Sequence, residues 1–118
     1  MTAALDSAVP ALRAFARTEA ARWGLTGVLD GLALVVSELV GNSVRHSGSS
    51  DVRLLLRAGA HALTVEVADT GQWRRPADRR GGLARGGRGL QLVEAFSSSV
   101  TVHTGRWGTR VIAVLPRG

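Results

Sequence analysis

The chain has 118 residues, of which 45% are hydrophobic and 20% charged, so it can form one hydrophobic core and resembles globular proteins rather than disordered or membrane-spanning chains. It has no cysteine, which excludes disulfides, cysteine-ligated zinc and thiol chemistry. The net charge of +6, from 15 basic residues that are all arginine against 9 acidic ones, favours an anionic partner without choosing among nucleotides, nucleic acid and an acidic protein surface.

The first predicted element is an amphipathic helix from Val9 to Trp23, with Pro10 in its first turn and Gly24 as its stop. The segment before it has no basic start followed by an apolar run. We therefore expect no signal peptide and a cytoplasmic protein. The apolar positions that should face the core are Val9, Leu12, Phe15, Ala16 and Trp23.

A second helix is predicted from Thr26, which can cap its start, to about His46, where Ser47-Gly48 ends it. It contains the longest nearly uncharged stretch, Leu32 to Val44, which is too short and too polar to cross a bilayer. We therefore expect no membrane partner. The predicted core stripe of this helix is Leu29, Leu32, Val36, Leu39 and Val40.

Two segments of alternating polarity, Asp51 to Ala58 and His61 to Ala68, predict strands that pair as a hairpin. The next part of the chain, about residues 70–88, is rich in Gly and Arg and long for a loop, which predicts a functional lid. A short helix from Gly89 to Phe96 should then bury its apolar side chains. Those side chains are Leu90, Val93 and Phe96, and two further strands are predicted near Ser99 to Thr104 and Thr109 to Leu115.

The order of these elements predicts an α+β protein. Mostly antiparallel strands joined by hairpins, with the helices gathered on one face, form a two-layer α/β sandwich. A doubly wound parallel sheet does not fit this order. We expect residues 1–118 to form a single domain.

Three polar residues of the second helix, Glu38, Asn42 and Arg45, recur at i, i+4 and i+7, within a sector of roughly 60° at about 100° per residue. Their stripe borders the core stripe, so it should lie at the edge of a covered groove. A carboxylate and a carboxamide one turn apart can offer oxygen ligands to Mg²⁺ bridging phosphates. The pattern also fits a solvated helix face with a weak attraction between Glu38 and Arg45.

Asp69-Thr70-Gly71 ends the second predicted strand. Asp69 continues the parity of the strand's apolar residues, so its carboxylate should face the helices and need a donor there, such as an adenine amino group. Gly71 would let the backbone approach a flat ring. Thr109 shares the core parity of the last strand, so its hydroxyl can approach Asp69. Ordinary turns at both places are the alternative.

Gly86-Gly87-Arg88-Gly89 opens directly into the third predicted helix. Successive backbone N–H groups and the positive end of the helix favour phosphate at such a place, and Arg88 would reinforce this. The motif is not a Walker loop, because the Lys-Ser/Thr ending is absent. A flexible hinge is an equal alternative.

Four motifs follow one another along the chain: Ser37-Glu38-Leu39-Val40-Gly41-Asn42-Ser43-Val44-Arg45-His46, Asp69-Thr70-Gly71, Gly87-Arg88-Gly89-Leu90-Gln91-Leu92-Val93, and Gly108-Thr109. Together they resemble the ATP-binding boxes of the GHKL superfamily of histidine kinase-like ATPases, which has the Bergerat ATP-binding fold. The resemblance covers roughly Leu25 to Leu115. The short stand-alone form is similar to the RsbW-type anti-sigma-factor serine kinases.

This resemblance implies a protein kinase that uses Mg-ATP to phosphorylate a serine or threonine of an antagonist protein. Glu38 would polarise the attacking hydroxyl, Asn42 would hold Mg²⁺, and Asp69, steadied by Thr109, would accept a hydrogen bond from the adenine amino group. The implied partners are a sigma factor and a STAS-type antagonist, and a homodimer is suggested. The other implied pocket residues are Arg45, His46, Gly71, Gly87, Arg88, Gly89 and Leu90.

Two features depart from the family pattern and leave other functions open. Trp73 stands where many relatives have a second glycine, and the lid is strongly basic. One alternative is a non-catalytic switch, in which ATP orders the lid for partner capture. Another is an RGG-like nucleic-acid module, which we do not expect because Trp73 is the only aromatic residue in the loop that could stack on bases. The arginines of the lid are Arg74, Arg75, Arg79, Arg80 and Arg85, with Asp78 to offset them.

Overall fold

A computed structural model of the chain describes residues 7–46, 51–70 and 88–117. The predicted lid lies outside the described residues except at its two ends. In chain order the elements are helix α1 (Ala8–Arg22), a 3-10 turn (Thr26–Val28), helix α2 (Leu29–His46), strands β1 (Val52–Ala58) and β2 (Ala62–Asp69), helix α3 (Arg88–Phe96), and strands β3 (Ser99–Gly105) and β4 (Gly108–Pro116).

The strands of the described part form an antiparallel sheet in the order β1-β2-β4-β3. Helix α2 packs on β1, β2 and β4, helix α3 packs on β3 and β4, and α1 packs on α2. The helices therefore lie on one face of the sheet, and the predicted α+β sandwich is confirmed.

Alternation along β2 decides which side chains enter the core. Leu63, Val65 and Val67 are buried, at 0 to 1% exposure, and Asp69 continues the same row at 5%. Burial of each such apolar side chain contributes about 1.5–3 kcal/mol. The parity predicted for Asp69 is therefore found: a carboxylate lies at the end of an apolar row beneath the helices.

Helix α1 follows its predicted stripe in part: Ala16 is buried, and Val9 and Leu12 pack partly buried against the core. Phe15 and Trp23 are 48% and 42% exposed, whereas Ala16 and Ala20 are fully buried. Small side chains at the contact let α1 approach α2 closely, which leaves the bulky rings at the edge of the interface. The prediction that Phe15 and Trp23 belong to the core is wrong.

Phe96, the last residue of α3, is also more exposed than predicted, at 47%. Its ring lies over Gly31 of α2, where a Cβ would come within 3.1 Å of the ring. One side of the ring thus covers helix backbone and the other faces solvent. Val93, one turn earlier, is fully buried as predicted.

The segment Thr26–Arg45 has the length and mean hydropathy, 20 residues and 1.4, of a helix that could cross a membrane. In the fold it is a core helix, because Leu32, Val36 and Leu39 on it are fully buried within the globule. Its start differs from the predicted cap, since Thr26 begins a 3-10 turn and the α-helix begins at Leu29. Such turns are common at helix starts.

Candidate functional site

Four polar side chains are buried in the described part of the chain: Asn42, Ser43, Asp69 and Thr109, at 2%, 1%, 5% and 1% exposure. They come from the end of α2, the end of β2 and the start of β4, which are packed together. Buried polar groups are costly unless they have partners. Three of these four were predicted from the sequence as site residues.

Asn42 and Arg45 contact each other on the last turns of α2. The Arg45 guanidinium donates a hydrogen bond of 2.7 Å to Oδ1 of Asn42. The arginine folds back over Gly41, where a Cβ would lie 3.1 Å from its terminal nitrogen. The absence of a side chain at Gly41 therefore gives Arg45 room to reach the amide.

Two buried atoms beside this contact have no hydrogen-bond partner among the described residues: Nδ2 of Asn42 and Oγ of Ser43. An unpaired buried donor costs about 1–3 kcal/mol. An acceptor bound beside the end of α2, such as a phosphate oxygen, would satisfy Nδ2 of Asn42. Nδ2 of Asn42 is thus a buried donor that no described residue satisfies.

Glu38 lies one turn before Asn42 and is half-buried. Within the described ranges its carboxylate makes no hydrogen bond or ion pair, so the attraction to Arg45 considered from the sequence does not form. The neighbouring Ser37 accepts a hydrogen bond of 3.1 Å from Arg13 of α1. This contact ties α1 to the turn of α2 that carries Glu38.

Asp69 and Thr109 are direct cross-strand partners in the β2–β4 register, and both are buried. Gly108 makes this pairing feasible. Its φ is +133°, and a Cβ there would fall on the carbonyl oxygen of Asp69 and lie 2.8 Å from Cα of Thr70. Only glycine lets β4 begin this close to the end of β2.

The remaining predicted residues are placed only in part. Gly71, Gly87 and the lid with Trp73 lie outside the described residues. Arg88, Gly89 and Leu90 form the first turn of α3, and His46 is the last residue of α2. Across the described residues, no group of three or more His, Cys, Asp or Glu side chains could hold a metal ion.

Sequence reasoning did not select Gly41, Ser43 or Gly108 as site residues. Gly41 and Gly108 entered the sequence analysis only as members of their motifs. The close approach of Arg45 to Gly41, and of β2 to Gly108, has no local sequence pattern. Ser43 follows Asn42 directly, and only the packing of α2 places both of these side chains inside.

A family model described as the histidine kinase-like ATPase domain matches residues 1–115. Among solved structures, the chain is similar to the histidine kinase domain from the Erythrobacter litoralis EL346 blue-light activated histidine kinase, with 26% identity, a TM-score of 0.61, and coverage of 77% of this chain and 45% of that chain. Another structure, of the Erythrobacter litoralis EL346 blue-light activated histidine kinase, gives 26% identity, a TM-score of 0.59, and coverage of 75% and 31%. The chain spans less than half the length of either.

Proposed function

Because the chain belongs to the histidine kinase-like ATPase domain family, we propose that it binds Mg-ATP between α2 and the ends of β2 and β4 and transfers the γ-phosphate to a serine or threonine of an antagonist protein. The observation that carries the proposal is Nδ2 of Asn42, a buried atom with no hydrogen-bond partner among the described residues, in the group of buried polar side chains that Asn42 forms with Ser43, Asp69 and Thr109. A buried donor without a partner is satisfied when an acceptor, such as a phosphate oxygen, binds beside it.

Adenine recognition is assigned to Asp69. Its carboxylate accepts a hydrogen bond from the adenine amino group, and Thr109, its cross-strand partner, steadies it. Burial supports this role, because a hydrogen bond to a charged group in a dry site discriminates strongly against a base that lacks the donor. Gly71, the second residue after Asp69 in the sequence, has no Cβ and would leave space beside the ring.

Mg²⁺ is assigned to Asn42. Its Oδ1 accepts one hydrogen bond from Arg45, and an amide oxygen has a second lone pair. Mg²⁺ commonly takes only one or two protein ligands together with phosphates and water, so a site without three clustered carboxylates or imidazoles fits it. When bound, the ion neutralises charge on the phosphates.

The phosphates are assigned to the start of α3 and the end of α2. Arg88, Gly89 and Leu90 form the first turn of α3, where backbone N–H groups favour anions, and Gly87 precedes them in the sequence. On α2, Arg45 and His46 are the basic residues nearest this end. In this proposal Arg45 exchanges its hydrogen bond with Asn42 for one with phosphate.

Glu38 is assigned as the catalytic base. It accepts a hydrogen bond from the attacking hydroxyl and takes its proton as the γ-phosphate is transferred. The half-buried carboxylate has no competing partner among the described residues, which leaves it available. Its position one turn from Asn42 places the base beside the proposed metal ligand.

The partners and location are proposed from the resemblance of the four motifs to the anti-sigma-factor kinases. The proposed partners are a sigma factor and a STAS-type antagonist. The protein is proposed to be cytoplasmic and to form a homodimer. The single-domain organisation of residues 1–118, with a lid at about 70–88, belongs to the same proposal.

The proposal is tested in two steps with the full chain. Calorimetric titration with a non-hydrolysable ATP analogue should show binding that Mg²⁺ strengthens. If no heat of binding is detected with or without Mg²⁺, the proposal is refuted. Labelled ATP with a cognate antagonist should then give a phosphorylated antagonist, and Glu38→Gln should slow transfer by about 100-fold or more.

The matched control for Glu38→Gln is Asp30→Asn, which removes an exposed carboxylate at the start of the same helix and should leave transfer unchanged. Equal activity of Glu38→Gln and the unaltered protein would contradict the catalytic assignment. Nucleotide binding without any transfer would instead support the non-catalytic switch.

A further inference from the structure

The face of the sheet that the helices leave open carries a groove over the starts of β1 and β4 and the end of β2. A cavity of about 230 Å³ is lined there by Asp51, Arg53, Glu66, Ala68, Asp69, Thr70, Trp107 and Arg110. A second cavity of about 140 Å³ shares three of these residues and extends along β1 to Leu55. The two together are called the open-face groove below.

The floor of the groove is set by strand register. Arg53 pairs with Ala68, and Ala68 pairs with Arg110, so a methyl group lies between two arginines on neighbouring strands. Strands lie about 4.8 Å apart, which places the two arginine backbones about 10 Å apart. The small side chain of Ala68 leaves the space between the guanidinium groups open.

The arginines are incompletely paired. Nε of Arg110 is buried and has no hydrogen-bond partner among the described residues, because its distance to Glu66 Oε2 is 3.9 Å, too long for a hydrogen bond. Arg53 makes no ion pair within the described part of the chain. Both guanidinium groups can therefore bind an anionic group without breaking a strong contact.

The two ends of the groove are apolar. The ring of Trp107, 52% exposed, lies 5.3 Å from the Arg110 guanidinium, a geometry that holds the cation over the aromatic face. Leu55, at the other end, is 50% exposed. Two arginines in the middle, with apolar surface on both sides, match one acidic residue flanked by apolar ones.

Size and charge together favour a peptide over other ligands. The cavity is smaller than the roughly 300–1,000 Å³ typical of small-molecule sites, and suits a side chain. Asp51 and Glu66 also line the cavity and would repel the continuous phosphates of nucleic acid, whereas a peptide can present a single carboxylate to the arginines. These two carboxylates offset the charge of the two arginines, so the groove suits one carboxylate rather than a row of negative charges.

We propose that the open-face groove binds a short acidic segment of a partner protein, with one carboxylate over Ala68 between Arg53 and Arg110 and a neighbouring apolar side chain against Trp107. Asp69 lines the edge of the groove, but alternation along β2 turns its side chain to the face opposite that of Ala68. The carboxylate that we assign to adenine therefore points away from the groove, and the two sites are distinct. Binding in the groove does not depend on phosphotransfer.

The test measures fluorescence anisotropy of a labelled peptide, Gly-Glu-Phe-Glu-Leu-Gly-Gly, with the full chain at low and physiological salt. Arg53→Gln and Arg110→Gln should each weaken binding by about ten-fold or more, and replacing both glutamates of the peptide by glutamine should do the same. The matched control is Arg57→Gln, on the same strand and face but outside the groove, which should change affinity less than about two-fold.

Trp107→Leu should weaken binding of the peptide but leave the salt dependence of binding unchanged, because the substitution removes the aromatic side chain and no charge. Urea unfolding of each variant verifies that the fold is retained. Glu38→Gln should bind the peptide normally even if phosphotransfer is lost, which separates this proposal from the proposed kinase activity.

Three results would overturn the proposal. The first is a loss with Arg57→Gln equal to that with Arg110→Gln, which would mean general charge attraction. The second is tighter binding of oligothymidylate than of the peptide, which would assign the groove to nucleic acid. The third is light scattering that shows a dimer broken by Leu55→Glu and unaffected by the peptide, since a second copy would then cover the groove.

Discussion

The Oδ1 atom of Asn42 accepts a 2.7 Å hydrogen bond from Arg45, so the atom that we propose as the Mg²⁺ ligand already contacts a cationic group in the protein. A guanidinium and a metal ion held by the two lone pairs of one amide oxygen lie so close together that their positive charges repel each other. We infer that Mg-ATP binding draws Arg45 toward the phosphates. The arginine then compensates for phosphate charge in one state and holds Asn42 in the other.

Asn42→Ala removes the proposed metal ligand and tests this directly. Nucleotide affinity measured by calorimetry should lose most of its dependence on Mg²⁺, while affinity without Mg²⁺ should change by less than about three-fold, or about 0.7 kcal/mol. Ser43→Ala is the matched control, since it deletes an equally buried polar atom that is not assigned to the metal. A similar Mg²⁺ effect in the unaltered protein and in Asn42→Ala would contradict the assignment.

Gly41→Ala should separate stability from function. Alanine favours a helix over glycine by about 1 kcal/mol, so urea unfolding should show a more stable protein. The new Cβ would lie 3.1 Å from the Arg45 nitrogen and push the side chain off Asn42, so the Mg²⁺ dependence of nucleotide binding should change.

The control for Gly41→Ala is Gly27→Ala, where a Cβ meets nothing within 4 Å. That variant should leave nucleotide binding as it is in the unaltered protein. If Gly41→Ala and Gly27→Ala give the same nucleotide affinity, Arg45 does not control Asn42.

Much of the fold follows from local pattern. Alternation in β2 predicts both the core row and the burial of Asp69, because a strand has only two faces and one is covered by helices. Helical spacing was less reliable for α1, where Phe15 and Trp23 lie at the edge of the stripe and small alanines form the contact. The distance between two helices decides which residues of an apolar stripe are buried in their contact. That distance cannot be predicted from the sequence of one helix.

The candidate site divides in the same way. Asp69, Asn42 and Thr109 were predictable because each is a polar residue at a position whose periodicity points inward. The Arg45 contact and the requirement for Gly108 were not, because they arise where one segment meets another. The open-face groove was likewise not predictable from the sequence, since it depends on the strand register that places Ala68 between Arg53 and Arg110.

Gly108→Ala should be strongly destabilising. A φ of +133° disfavours any residue with a Cβ, and the added methyl group would collide with the backbone of Asp69 and Thr70. We expect the free energy of unfolding to fall by about 2–4 kcal/mol in urea denaturation. Gly59→Ala in the β1–β2 turn, where the nearest atom is 3.4 Å away, should cost less than about 1 kcal/mol.

Asp69→Asn tests adenine recognition with almost no change in side-chain volume. The amide keeps one acceptor but loses the charge, so the affinity for the ATP analogue should fall by about ten-fold or more, which corresponds to about 1.4 kcal/mol. Affinity for the matching GTP analogue should change little, because guanine has a carbonyl where adenine has its amino group. Calorimetry with both analogues therefore measures a specificity ratio, which a general loss of folding would not alter selectively. Thr109→Val should give a smaller loss in the same direction, and an unchanged ratio in Asp69→Asn would remove Asp69 from base recognition.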